Sequence, residues 1–122
     1  MEKSERISLN QFIPSLNHTD GNNFLLIAGP CVIEGREMAL NIAGIIRDLS
    51  DRFKIPYVFK ASYRKANRSR LDSFTGIGDE KALYILKEIR EKFGIPVITD
   101  VHSPEEAAKA AKEMLERLRK EQ

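Results

Sequence analysis

The stretch Phe53-Lys54-Ile55-Pro56-Tyr57-Val58-Phe59-Lys60 decides the fold, because Phe93-Gly94-Ile95-Pro96-Val97-Ile98-Thr99-Asp100 repeats its plan forty residues later. Each copy has an aromatic residue closing a helical pattern, a turn, Ile-Pro, and a short apolar run. Tyr57-Val58-Phe59 and Val97-Ile98-Thr99 read as strands. Working outward, Met38, Ile42, Ile45, Ile46, Leu49 and Phe53 recur at helical spacing, with Arg47, Asp48 and Asp51 on the other side. The pattern predicts a helix over 36–53. Ala82, Leu83, Leu86, Ile89 and Phe93 mark a second helix, and Gly94 is placed to end it.

One further strand precedes these units. Phe24-Leu25-Leu26-Ile27-Ala28-Gly29-Pro30 is a continuous apolar run, which suits a strand covered on both faces in a parallel sheet. At the other end, Ser103-Pro104-Glu105-Glu106 opens a third helix. Ser103 is the cap, Pro104 suits the first helical position, and Glu106 completes a capping box. Strand and helix alternate three times, which argues for an α/β fold with parallel strands and right-handed crossovers. A closed (β/α)8 barrel takes roughly 250 residues. A chain of 122 residues therefore reads as three consecutive βα units of a TIM-type barrel, incomplete. Residues 1–23 read as a polar N-terminal arm, with a short extended piece at Phe12-Ile13, and residues 24–122 as the partial barrel. The segment from Ala107 to Gln122 holds strong helix formers with Glu113–Arg117 and Glu116–Lys120 at i,i+4. It resembles an idealised terminal helix, as a truncated or engineered chain would carry.

Hydrophobic residues make up 42% and charged residues 31%, as in ordinary globular proteins, and the formal net charge is only +2. That balance speaks against general attraction to nucleic acid or membranes. A single cysteine, Cys31, rules out an intrachain disulfide framework and suits a reducing compartment. The chain lacks an apolar stretch long enough to span a bilayer and a signal-like N-terminus, so a cytoplasmic protein is expected.

The charge is concentrated instead. Lys60-Ala61-Ser62-Tyr63-Arg64-Lys65-Ala66-Asn67-Arg68-Ser69-Arg70 carries five cations and no carboxylate at the end of the second strand. Ligands of parallel α/β folds bind at the carboxyl ends of strands. Lys60 and Ser62 share a strand face by alternation. With Lys65, Asn67, Arg68 and Ser69 they offer charge and neutral hydrogen bonds to a small phosphorylated, hydroxylated anion. The bland alternative is a solvated loop. After the first strand comes Cys31, which taken alone reads as a small buried hydrophobe. After the third come Asp100 and His102, able to face one site, although Asp100 could equally cap the next helix. His18, in the arm, reads as a solvated loop residue.

Taken together, IAGPCVIE, PYVFKASYRKANRSRLDSFTGIG and ITDVHSPEEA resemble the N-terminal part of the 3-deoxy-D-manno-octulosonate 8-phosphate synthase (2-dehydro-3-deoxyphosphooctonate aldolase) family, from about Phe24 to about Ala108. The KANRS string is the most specific part. The resemblance implies condensation of phosphoenolpyruvate with D-arabinose 5-phosphate, giving an eight-carbon sugar-acid phosphate for lipopolysaccharide, plus phosphate. It implies that Lys60, Ser62 and Lys65 contact phosphoenolpyruvate and that Asn67, Arg68 and Ser69 hold the pentose phosphate. Asp100 and Lys65 would be catalytic. Cysteine after Gly-Pro marks the metal-dependent branch, so Cys31 would ligate a divalent metal. Arg64 stands where many relatives carry an acidic residue, and Thr75 where many carry arginine. The family's other metal ligands lie on later strands, so the chain alone is expected to be inactive and to hold metal weakly. A competing expectation is a non-catalytic half-barrel module whose open sheet edge drives homo-oligomerisation.

Overall fold

The computed structural model describes residues 8–64 and 77–120, with the side chains of 113–120 left out of the description. Three strands, β1 (Leu26–Ala28), β2 (Tyr57–Lys60) and β3 (Val97–Ile98), form a parallel sheet in the order β1-β2-β3. Helix α2 (Arg36–Phe53) joins β1 to β2, α3 (Asp79–Phe93) lies between β2 and β3, and α4 (Pro104–Lys120) follows β3. A single-turn helix α1 (Leu9–Phe12) precedes them. The fold is therefore α/β with sequential parallel units, as the repeat implies.

The repeated turn explains why the units match. Phe53 ends α2 and Phe93 ends α3, and the next residue in each case is left-handed, Lys54 at φ 56° and Gly94 at φ 63°. The Gly94 N–H closes the turn on the Arg90 carbonyl at 3.0 Å. Ile-Pro then leads straight into the strand.

The register sets which residues meet. Phe59 lies opposite Val97 and Lys60 opposite Ile98. The repeat would align Lys60 with Asp100, but the sheet staggers the two copies by two residues. Side-chain parity survives that step, so Lys60, Ser62, Ile98 and Asp100 share one face. The other face carries Tyr57, Phe59, Ala61 and Ile95, which join Ala39, Ala43, Leu83, Leu86 and Ile89 in the core. Helix α3 packs against both α2 and α4.

Three expectations need correction. The apolar run 24–30 was expected to be covered on both faces, yet Ile27 is 47% and Ile98 39% exposed. The described helices pack on the opposite side of the sheet, and this side is exposed at its flanking strands, while Val58 in central β2 is buried. The extended piece expected at Phe12-Ile13 is instead the end of α1. Its start has Ser8 and Gln11 at capping-box spacing, and Gln11 Oε1 takes the Ser8 N–H at 3.2 Å. His18, expected to be solvated, bonds Asp51 of α2 through Nε2 at 2.8 Å. Asn23 caps the same helix end, donating to the carbonyls of Phe53 and Lys54 at 3.1 and 2.9 Å. Residues 18–23 are thus fastened where α2 ends, away from the strand tips.

Candidate functional site

The site is built at the carboxyl end of the sheet, where three chain segments are drawn together by backbone contacts. Gly29 makes the first approach possible. A Cβ there would stand 2.0 Å from the Lys60 carbonyl oxygen, inside contact distance with backbone that cannot yield. Past that point the chain rejoins β2. The Ser62 N–H donates to the Cys31 carbonyl at 3.2 Å, and the Ile33 N–H donates to the Ser62 carbonyl at 2.9 Å. Val32 and Ile33 are buried and anchor this bridge, leaving Cys31 exposed beside them. The reading of Cys31 as a buried hydrophobe therefore fails, because its apolar neighbours take the inward positions.

From the other side comes the turn after β3. The stagger brings Asp100 level with Ser62, whose side chain is buried. Burial alone would raise the Asp100 carboxyl. The Ser62 hydroxyl, Asp100's own backbone N–H, and the charges of His102 and Lys60 outweigh it and hold the group below the usual carboxylate range. His102 Nε2 lies 3.5 Å from Asp100 Oδ2. Asp100 does not cap the following helix. That role belongs to Ser103, whose Oγ accepts the Glu106 N–H at 3.1 Å.

Of the residues expected from sequence, Lys60, Ser62 and Asp100 come together, with Cys31 adjoining Ser62 through the backbone. Lys65, Asn67, Arg68 and Ser69 lie outside the described residues. An ammonium, a hydroxyl, a carboxylate and an imidazole around one strand end can neutralise an anion, fix a hydroxyl and exchange a proton. The described residues fit a metal poorly. Among them no three His, Cys, Asp or Glu side chains gather as a ligand set, and a thiolate alone does not hold a metal.

Sequence reasoning missed a second cluster beside this one. Glu106 was expected to close its own capping box. Its carboxylate instead accepts the Tyr63 hydroxyl at 2.8 Å and the Arg64 guanidinium. Tyr63 and Arg64 hold the Glu106 carboxyl at about 2, and the His102 backbone N–H adds to them. Arg64 also reaches Asp79, at the start of α3, at 3.8 Å. Tyr63 is buried and its hydroxyl is pushed up to about 12, chiefly by that burial. Arg64 is thus committed to protein carboxylates. The only sequence signal was its unusual charge at that position.

Known proteins resemble this chain over most of its length. The DAHP synthetase I family model matches residues 6–115. A protein named 2-dehydro-3-deoxyphosphooctonate aldolase from Cyanothece sp. (strain PCC 7425 / ATCC 29141) is 47% identical over 98 residues, covering 80% of this chain and 36% of that protein. Its namesake from Syntrophobacter fumaroxidans is 52% identical over 96 residues, 78% of this chain and 33% of the relative. One from Azoarcus sp. (strain BH72) is 54% identical over 81 residues, 66% and 29%. The chain spans about a third of the length of these curated relatives. With the matched region covering the strands, the helices between them and the site at their ends, the chain belongs to the DAHP synthetase I family.

Proposed function

We propose that this chain forms the first three βα units of a (β/α)8 barrel that condenses phosphoenolpyruvate with D-arabinose 5-phosphate. The products are 3-deoxy-D-manno-octulosonate 8-phosphate, a lipopolysaccharide precursor, and inorganic phosphate. The observation that carries the reading is the meeting of Lys60, Ser62 and Asp100 at the carboxyl end of the sheet, on the face opposite the described helices. The relatives' shared name supports the substrate class.

In this reading Lys60 and Ser62, joined by Lys65, hold phosphoenolpyruvate, while Asn67, Arg68 and Ser69 hold the pentose phosphate. Two anionic reactants repel one another. Fixed cations offset that repulsion and hold the reacting carbons in line. Asp100, kept ionised by its neighbours, and Lys65 serve the reacting centre. Cys31 is proposed to lend one thiolate to a divalent metal whose other donors lie beyond the described residues. The reading goes with a cytoplasmic reaction.

The test is to join this chain to the remaining barrel units of the Syntrophobacter relative and supply both substrates with a divalent metal. The octulosonate phosphate should form, and Lys60→Ala should reduce kcat/KM by about 100-fold, the scale of losing one charge-assisted contact in a dry site. A folded fusion that makes no product, or a Lys60→Ala form that matches it, contradicts the proposal. The isolated chain should make none.

A second reading is favoured by the exposed flanking strands of the sheet and by Ile45, Leu49 and Phe53 on α2, all exposed. These surfaces suit a non-catalytic module that covers itself with a second copy of the chain. Sedimentation velocity across a range of concentrations separates the cases: a dimer supports the module, and a strict monomer removes it.

A further inference from the structure

The backbone ladder between β2 and β3 weakens where the site begins. The Phe59 N–H reaches the Pro96 carbonyl at 3.0 Å, but the next rung, Ala61 N–H to the Ile98 carbonyl, stretches to 3.4 Å. Beyond that rung, the Ser62–Asp100 contact needs the end of β2 and the turn after β3 to stay level. The Glu106 carboxylate stands between these two segments. It accepts from Tyr63 and Arg64, three and four residues past the end of β2, and from the backbone of His102, two residues past Asp100. The Ser103 cap holds the Glu106 backbone N–H at 3.1 Å and so seats the base of this side chain beside the turn after β3.

We infer that Glu106 is a positioning residue: it staples the end of β2 to the turn after β3 and thereby sets Lys60 and Ser62 against Asp100 and His102. The inference deepens the proposed phosphoenolpyruvate site and rests on that reading for its consequence in binding, though not for its geometry. One Glu106 oxygen, Oε1, takes both the Tyr63 hydroxyl and the Arg64 guanidinium, so the carboxylate faces the protein's own donors. The burial of Tyr63 strengthens the staple, since its phenol sits away from water with Glu106 as its hydrogen-bond partner. Arg64 extends the same brace to Asp79 and so includes the start of α3.

The test compares Glu106→Ala, Glu106→Gln and Tyr63→Phe with the unaltered chain, with Glu105→Ala as a control on an exposed neighbour. Amide chemical shifts of Ser62, Asp100 and His102 report the site, and titration with phosphoenolpyruvate reports binding. In Glu106→Ala all three amides should move and affinity should fall at least about fivefold, about one lost hydrogen bond. Glu106→Gln keeps an acceptor for Tyr63 and His102, so it should recover part of both effects. Glu105→Ala should change neither. A Glu106→Ala protein that melts earlier while those amides and the affinity stay at wild-type values shows a purely structural role and overturns the inference. If that variant does not fold, Glu106→Gln and Tyr63→Phe decide on the same readouts. If the unaltered chain does not bind phosphoenolpyruvate, the proposed substrate fails, and the amide shifts alone decide whether the staple exists.

Discussion

Phe53-Lys54-Ile55-Pro56 and Phe93-Gly94-Ile95-Pro96 both make a left-handed turn, one with lysine and the other with glycine, and the segments they launch carry opposite charges, Lys60 at the end of β2 and Asp100 two residues past β3. Both units spend their inward residues on the shared core. Lys60 and Asp100, at matching places in the repeat, are what the two copies do not share. The two-residue stagger of the sheet then sets Lys60 beside Ile98 and Asp100 beside Ser62, so the charges sit on one face without lying directly opposite. The lesson is that the repeated part builds the scaffold and the divergent end builds the chemistry.

The largest effect should come from the depth of burial in each strand. Phe59, fully buried in central β2, should cost about 3–5 kcal/mol when changed to alanine. Val97, partly buried in β3 at the described edge of the sheet, should cost about 1.5 kcal/mol for its two lost methyl groups. Urea unfolding of both variants checks this, and equal losses would break the distinction between a central and a peripheral unit.

The turns sharpen the comparison further. Gly94→Ala places a Cβ in left-handed backbone and should cost about 1 kcal/mol. Lys54→Gly relieves that strain and should gain about 0.5 kcal/mol, the strain removed less the backbone freedom lost on folding. Opposite signs are the point, and thermal melts read them directly.

A smaller effect, softened by solvent screening, concerns acid stability. Glu106 has its carboxyl at about 2 in the folded chain, below the ordinary 4.5. A depressed folded value means the contribution is fully present above about 4.5 and is lost as pH falls towards 2. Stability of the unaltered chain should therefore decline more steeply across that window than stability of Glu106→Gln. Parallel curves in chemical denaturation at stepped pH would show that the carboxylate is not held by Tyr63 and Arg64.

Much of the scaffold was legible because its signals are local. Helical spacing from Met38 to Phe53 marked α2, and Gly94 marked the end of α3, since each depends on neighbours within a turn or two. Ser103 declared the start of α4 in the same way. Glu106 shows where such reading stops. Its spacing from Ser103 suggested a capping box, but Tyr63 and Arg64 compete for the carboxylate from more than forty residues away. Charge–charge and buried hydroxyl contacts outrank a local N–H, and sequence spacing carries no trace of them. His18 was hidden likewise, since only the folded chain brings it to Asp51. The convergence of Lys60, Ser62 and Asp100 was half legible. Alternation gave the shared face of Lys60 and Ser62, but the stagger that admits Asp100 is a property of the assembled sheet.

The claim on which the rest depends is that these three residues form an anion site at the strand tips. Its most direct test is a titration of the isotope-labelled chain with phosphoenolpyruvate, following the amides of Lys60, Ser62 and Asp100. The expected result is saturable movement of all three that Lys60→Ala abolishes without unfolding the protein. Movement elsewhere alone, or the same curve in Lys60→Ala, would contradict the account.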